Sequence, residues 1–291
     1  MASLAPWRFI CLGLLAACEP SLDQRLAIVK EPRVLAIVSE PAEAKPGAAA
    51  SYSIVIGSPD GPLAAVPAWS LCTAPKPPTE DNAVSAACTD DPSALAPLAG
   101  PMATIPSDAC TLFGPDVPPG GFRPRDPDPT GGYYQPVLAD ASDAGAELAF
   151  GFTRITCNLP AAPPDVAHDY QTMYVANHNP TLDPPQLPAA VPASSTITLV
   201  ASWPADAAES YLYFDVRTQA LVTRRESMRV SWFATGGTLA VDASAVAEDD
   251  AATEVSTTWR TPATPGPAWL WFVLRDSRGG IATQAVAVTV R

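Results

Sequence analysis

The stretch Ala268-Trp269-Leu270-Trp271-Phe272-Val273-Leu274-Arg275-Asp276-Ser277-Arg278-Gly279-Gly280-Ile281 decides the fold. Within it Trp269, Trp271 and Val273 alternate with Leu270, Phe272 and Leu274, so both faces of Ala268–Arg275 are apolar. Such a run suits a central strand covered on both sides. Asp276 to Gly280 reads as a hairpin loop, where glycine reaches positive φ at little steric cost. The chain then returns through an alternating strand, Ile281–Val290.

Outward from this hairpin, Thr196–Ser202, Ser210–Val216, Met228–Thr235 and Glu254–Thr261 read as further short strands separated by turn signals. That spacing indicates an antiparallel β-sandwich over residues 194–291. Towards the N-terminus, strand patterns recur at Arg33–Ser39, Ser51–Gly57, Val66–Leu71, Glu147–Cys157 and His168–Asn177. Each half carries a tryptophan strand, around Trp69 and Trp232, so the halves read as divergent copies. Residues 73–146 break the pattern with recurrent Pro, Asp and Gly and read as a long insertion in a first domain spanning 33–177. Residues 178–193 read as a proline-rich linker that few contacts cross. The expected fold class is therefore all-β, two sandwich domains, with 194–291 folding alone.

Composition supports this and excludes several classes. The 34 prolines in 291 residues would interrupt long helices repeatedly. With 17 Lys+Arg against 30 Asp+Glu, the net charge of −13 argues against non-specific nucleic-acid binding. No apolar run approaches the roughly 20 residues that a spanning helix needs.

The N-terminus reads as an export address. Arg8 precedes the apolar segment Phe9–Ala17, and the segment ends Leu15-Ala16-Ala17-Cys18. This resembles the lipobox of bacterial lipoproteins, in which the leader is removed and the cysteine becomes an acylated N-terminus. The resemblance implies a signal peptide over 1–17, lipidation of Cys18 and a tether over 18–32. Glu19 after the cysteine implies the outer membrane by the enterobacterial sorting rule.

Cys11 would leave with the leader. The remaining Cys72, Cys88, Cys110 and Cys157 are even in number, which in an exported chain reads as two disulfides. The favoured pairing is Cys88–Cys110 stapling the insertion, with Cys72–Cys157 pinning its ends. Cys72–Cys88 with Cys110–Cys157 is the alternative. A zinc site is disfavoured because no CxxC knuckle is present.

The second half resembles bacterial immunoglobulin-like domains of the PKD and bacterial-Ig kind. The residues that carry the resemblance are Val230-Ser231-Trp232-Phe233-Ala234-Thr235-Gly236-Gly237-Thr238, and Phe272 to Gly280 running into Val286–Val290. Residues 33–72 and 147–177 look like a weaker copy. The whole chain is similar to proline-rich, Ig-like-domain lipoproteins of predatory and soil bacteria, a family without an assigned activity. An antibody-type core disulfide does not fit. Trp69 and Cys72 are three apart and face opposite ways on a regular strand, so Cys72 is expected at an edge or loop.

Signals for chemistry are thin. His168 and His178 are the only histidines, and no HExxH, GxSxG, SxxK or Walker-type loop occurs, which argues against an enzyme. Asp126-Pro127-Asp128-Pro129-Thr130-Gly131 resembles the opening of a calcium loop, but the closing glutamate position holds Val137. Asp126 and Asp128 are therefore weak calcium candidates, and no cofactor is expected. Arg217, Arg224, Arg225 and Arg229 form a basic group that reads as a solvated strand face. Trp259, Trp269 and Trp271 would make either a sugar platform or core, and His178 reads as a turn residue.

The expectation for function is a lipid-anchored cell-envelope protein acting as a structural or protein-recognition module. The alternatives are a carbohydrate-binding or calcium-dependent adhesion module, or an accessory subunit of an envelope complex. The expected partners are the membrane through the anchor and envelope proteins or glycans, not nucleic acid.

Overall fold

The computed structural model describes residues 26–77, 80, 83–117, 120 and 126–291; the leader and Cys18 lie outside them. The first half contributes β1 (Arg33–Glu40), β2 (Glu43–Ala44), β3 (Ala49–Ser58), β4 (Gly61–Leu63), β5 (Ala68–Cys72), β6 (Leu95–Pro97), β7 (Met102–Thr104), β8 (Gly132–Asp140) and β9 (Ala149–Thr156). The second contributes β10 (Ala190–Val191), β11 (Thr196–Ser202), β12 (Ser210–Asp215), β13 (Ala220–Arg225), β14 (Met228–Ala234), β15 (Thr238–Leu239), β16 (Ala243–Val246), β17 (Glu254–Arg260), β18 (Gly266–Asp276) and β19 (Ile281–Val290). The protein is all-β, with two sandwich halves.

The halves repeat one topology. One sheet of the first half runs β2-β9-β8-β5-β6, and one sheet of the second runs β10-β19-β18-β14-β16. In both, the opening pair is parallel and the remaining pairs are antiparallel. The tryptophan strands β5 and β14 hold the same place. Opposite them lie β3 flanked by β1, β4 and β7 in the first half, and β11-β17-β15 in the second. Trp69 stacks on Tyr52 at 5.7 Å, and Trp232 meets Phe272 edge-on at 5.3 Å, each inside its own core.

β18 is buried on both faces, but its second cover comes from the other half. Leu270, Phe272 and Leu274 enter the second core. Trp271 and Val273 pack with Val29, Leu35 and Ala36 in a separate apolar junction. Gly61, at φ +119°, lies so close to Trp269 that a Cβ there would overlap the indole. The segment before β1 adds a parallel bridge, with the Val29 amide donating to Ala234 O at 2.8 Å. The halves therefore share an apolar face, and residues 194–291 do not contain all of their own packing.

Three local readings change. The stretch 178–193 is not a free linker: Leu182 and Val191 are buried in the second core and β10 joins its sheet. The insertion over 73–146 contains β6, β7 and the central strand β8. Pro136 disguised β8, since proline has no amide to give to a ladder. Cys72 O instead accepts from the side-chain amide of buried Gln135 at 2.8 Å. His168–Asn177 is not a strand; a helix covers Pro164–Met173, with proline at its first turn. Tyr170 and Tyr174 share a face at i, i+4 as well as at period two, which is how the alternation misled.

The disulfides are Cys72–Cys88 and Cys110–Cys157, not the favoured pairing. The short helices α1 (Ala87–Asp90) and α2 (Ala109–Leu112) present Cys88 and Cys110 to the ends of β5 and β9. Each bridge thus staples a loop helix to a core strand. Cys72 is fully buried in the first core, not at an edge. The ten-residue helix over Pro164–Met173 is α3.

Candidate functional site

β8 and β9 turn Tyr134, Pro136 and Leu138 outward against Arg154, Phe152 and Phe150, which stand opposite them in the ladder. This face floors two adjoining clefts that share Tyr134 and Phe152. The larger, about 630 Å³, is walled by Phe113, Pro127, Pro129 and Tyr133, with Asp126 and Asp128 on the rim. The smaller, about 430 Å³, lies between the halves and is walled by Leu35, Phe150, Arg275 and Ile281.

The rim loop is held from beneath. Asp128 accepts from the Thr130 amide at 2.7 Å, so its carboxylate closes a local turn. Arg154 donates to Thr130 Oγ1 at 2.8 Å, and Tyr170 donates to Thr130 O at 2.7 Å. Gly132 is required here because a Cβ would overlap the Arg154 guanidinium. From the second half, the Phe214 amide donates to Pro129 O at 2.8 Å, and Phe214 packs with Leu159 and Tyr170. The hairpin β12–β13 thus buttresses the first-half cleft.

A buried ionic cluster links the two halves. Glu43 pairs with Arg154 at 3.3 Å, accepts from Tyr174 Oη at 2.6 Å, and accepts from the Asn177 amide at 2.8 Å. Asn177 Nδ2 donates to Asp276 at 3.3 Å. Arg278, only 2 % exposed, donates to Glu226 at 2.6 Å, Glu209 at 2.7 Å and Val175 O at 3.2 Å. Tyr134 Oη donates to Arg278 O at 3.2 Å. The hairpin loop 276–280 is therefore an inserted plug.

Protonation follows the burial. Desolvation raises the Tyr170 and Tyr174 phenols above their ordinary range, so both stay protonated donors. Burial pulls Arg154 down, but the ion pair with the Glu43 carboxylate works against this; on balance the guanidinium is raised and stays charged. Burial, helped by the charge of Asp276, pushes Glu226 up to about 7 against the pull of Arg278. Asp276 is likewise raised by burial, against donors from Gly280 and Arg278.

The other expected site residues disperse. Asp126 and Asp128 come together at the cleft rim, and among the described residues no group of three His, Cys, Asp or Glu is placed to hold a metal. Trp259 and Trp271 are 1 % exposed, which rules out the sugar platform. Trp259 belongs to the second core and Trp271 to the junction. Arg217 and Arg224 pair with Asp215 and Glu248, and Arg225 donates to Asp250 O at 2.7 Å. His178 pairs with Glu209 at 2.8 Å on the surface. The plug and its partners escaped sequence reading because Glu43, Glu226 and Arg278 are far apart in the chain. Arg278 beside two glycines looks like an ordinary turn.

No family model and no curated protein matches the sequence. Among solved structures, Escherichia coli alpha-2-macroglobulin activated by porcine elastase aligns over 90% of this chain and 22% of its own, at 10% identity and TM-score 0.23. Three N-terminal domains of the bacteriophage RB49 outer capsid protein Hoc align over 89% and 59%, at 8% identity and TM-score 0.19. Domains 4 and 5 of the S-layer protein SbsC align over 91% and 98%, at 10% identity and TM-score 0.18. The chain thus spans about a fifth of the macroglobulin's length, and scores this low carry no argument about activity.

Proposed function

We propose that the chain is a lipid-anchored cell-envelope module that recognises a protein partner through the β8–β9 face. The observation that supports this is the pair of adjoining clefts over Tyr134 and Phe152. Their aromatic and prolyl walls rest on a body whose halves share an ionic cluster and an apolar junction. Aromatic and prolyl walls of this kind suit an extended peptide segment. The rigid base keeps the ordering cost of binding low.

A photo-cross-linking residue at position 152 tests this in whole cells, with one at Val66, which is 98% exposed, as control. The expected result is a discrete protein adduct from 152 and none from 66. Equal labelling, or no adduct from 152, overturns the reading. The anchor is tested separately: Cys18→Ala should move the protein from membranes to the soluble fraction, and unchanged partition refutes the anchor.

A further inference from the structure

One face of the second-half sheet carries a charge arrangement that the fold does not neutralise. On β14, Arg229, Ser231 and Phe233 point away from the second core. On β18, Arg275 stands directly opposite Arg229 in the antiparallel ladder. Like charges in that position repel and destabilise a sheet. Among the described residues, no carboxylate lies within ion-pair distance of either guanidinium. Arg275 donates only to neutral acceptors, Leu35 O across the junction at 3.1 Å and Ser231 Oγ at 3.5 Å. Burial lowers its basicity, and Arg229 adds to that. A third guanidinium, Arg33, lies over the Phe233 ring at 5.5 Å on the same face.

Arg229 and Arg275 thus stand together in one crease of a chain with net charge −13, with Arg33 further along β14 at Phe233, where the charges of Glu147 and Glu31 also act on it. Guanidinium forks match the oxygens of a phosphate in geometry and charge. Arg275 is also a wall of the 430 Å³ cleft between the halves, whose Val34, Leu35, Phe150 and Ile281 are apolar, with Asp276 at the loop end of its lining. A ligand filling both has an anionic head and an apolar body. The position of the crease points to its source. Arg33 donates to Leu26 O, and eight Cα–Cα steps lead from Cys18 to Leu26. At full extension these reach about 28 Å, so the crease stays within tether length of the bilayer.

We propose that Arg229 and Arg275, with Arg33 further along β14, bind the phosphate of an anionic membrane lipid. The assignment of the source rests on the lipid-anchor reading; the anion site itself does not. The bound phosphate would relieve the repulsion between the opposed arginines and lay the crease against the membrane that carries the anchor.

The mature-length chain from Glu19, made without lipid, is mixed with vesicles of phosphatidylcholine alone or with added phosphatidylglycerol. The expected result is binding only to the phosphatidylglycerol vesicles, and competition by inorganic phosphate. Arg229→Gln/Arg275→Gln should weaken binding roughly 30-fold, about fivefold for each arginine near an anionic surface. Arg229→Glu gives a second readout. It should abolish binding yet raise the melting temperature of the free protein, because it pairs the half-buried Arg275. Since Arg229 is exposed, this variant keeps the fold.

Binding to both vesicle types, or to phosphatidylglycerol equally by parent and variants, overturns the proposal. So does absence of any effect of phosphate or vesicles. Protection by inorganic phosphate without vesicle binding overturns the lipid assignment and leaves a site for a free oxyanion. Failure here leaves the Cys18→Ala fractionation result unaffected, so the two readings fall separately.

Discussion

The first half builds its core around one tryptophan, Trp69, with Tyr52, Phe113 and Tyr133, and closes it with two disulfides, whereas the second has no cysteine and fills its core with Trp203, Trp232 and Trp259. Both reach the same strand order, with a parallel opening pair and a tryptophan strand in the same place. The first half spends much of its chain on loops, and each bridge ties one of these to a sheet. The second invests in buried aromatic area, yet it leaves Trp271 and Val273 to be covered by β1 and its neighbours. The half that looked self-sufficient therefore depends on the half that looked irregular. One topology can be stabilised by restricting the unfolded chain or by burying large rings, and these have different points of failure.

The largest expected effect tests that dependence. A fragment of residues 194–291 lacks Leu182, Val191 and the cover over Trp271. It should show no cooperative melt, whereas a chain from residue 26 onward should melt as one unit. A cooperative, strand-rich fragment would break the comparison and restore the independent domain.

Next come the tryptophan strands. Trp232→Ala should cost about 3–5 kcal/mol, since the ring is 1 % exposed and its Nε1 donates to Ser244 Oγ at 3.1 Å. Trp69→Ala should cost a similar amount if the halves are equivalent. Urea unfolding measures both, and a clearly smaller loss at Trp69 would show that the disulfides have taken over its role.

The bridges sharpen the contrast further. Their removal should cost about 2–5 kcal/mol each, more for Cys110–Cys157, which spans 47 residues, than for Cys72–Cys88, which spans 16. Paired Cys→Ala variants give the order, and peptide mapping under non-reducing conditions gives the connectivity. A Cys88–Cys110 peptide would overturn the arrangement.

The smallest effect concerns the plug between the halves. Glu226 is raised from its ordinary range to about 7, so the folded chain binds more protons than the unfolded chain between roughly pH 4.5 and 7. Stability from this group is highest below that window and falls as pH rises through it. The melting temperature should therefore drop from pH 5 to pH 8, by about 2–4 °C for each kcal/mol of linkage. Glu226→Gln should make the profile shallower, leaving the share of Asp276, which burial also raises. A profile unchanged by that substitution would remove Glu226 from the coupling.

Read alone, the sequence determined the all-β class, most strands of the second half to within a residue or two, the doubling of the tryptophan strand and the even cysteine set. These rest on periodicity and composition, which are local. Ile281–Val290 and Thr196–Ser202 appear in the structure with those bounds. Tertiary structure decided the rest. Pro136 hides a central strand because its missing donor is replaced by a side chain whose target lies 63 residues away. Tyr170 and Tyr174 satisfy two periods at once, and only packing against Phe214 and Glu43 selects the helix. The disulfide partners follow from which short helix reaches which strand end. Arg278 becomes a buried plug, and Arg229 faces Arg275, because sheet register and the docking of one half on the other bring distant charges together. Local spacing carries no record of such long-range electrostatics.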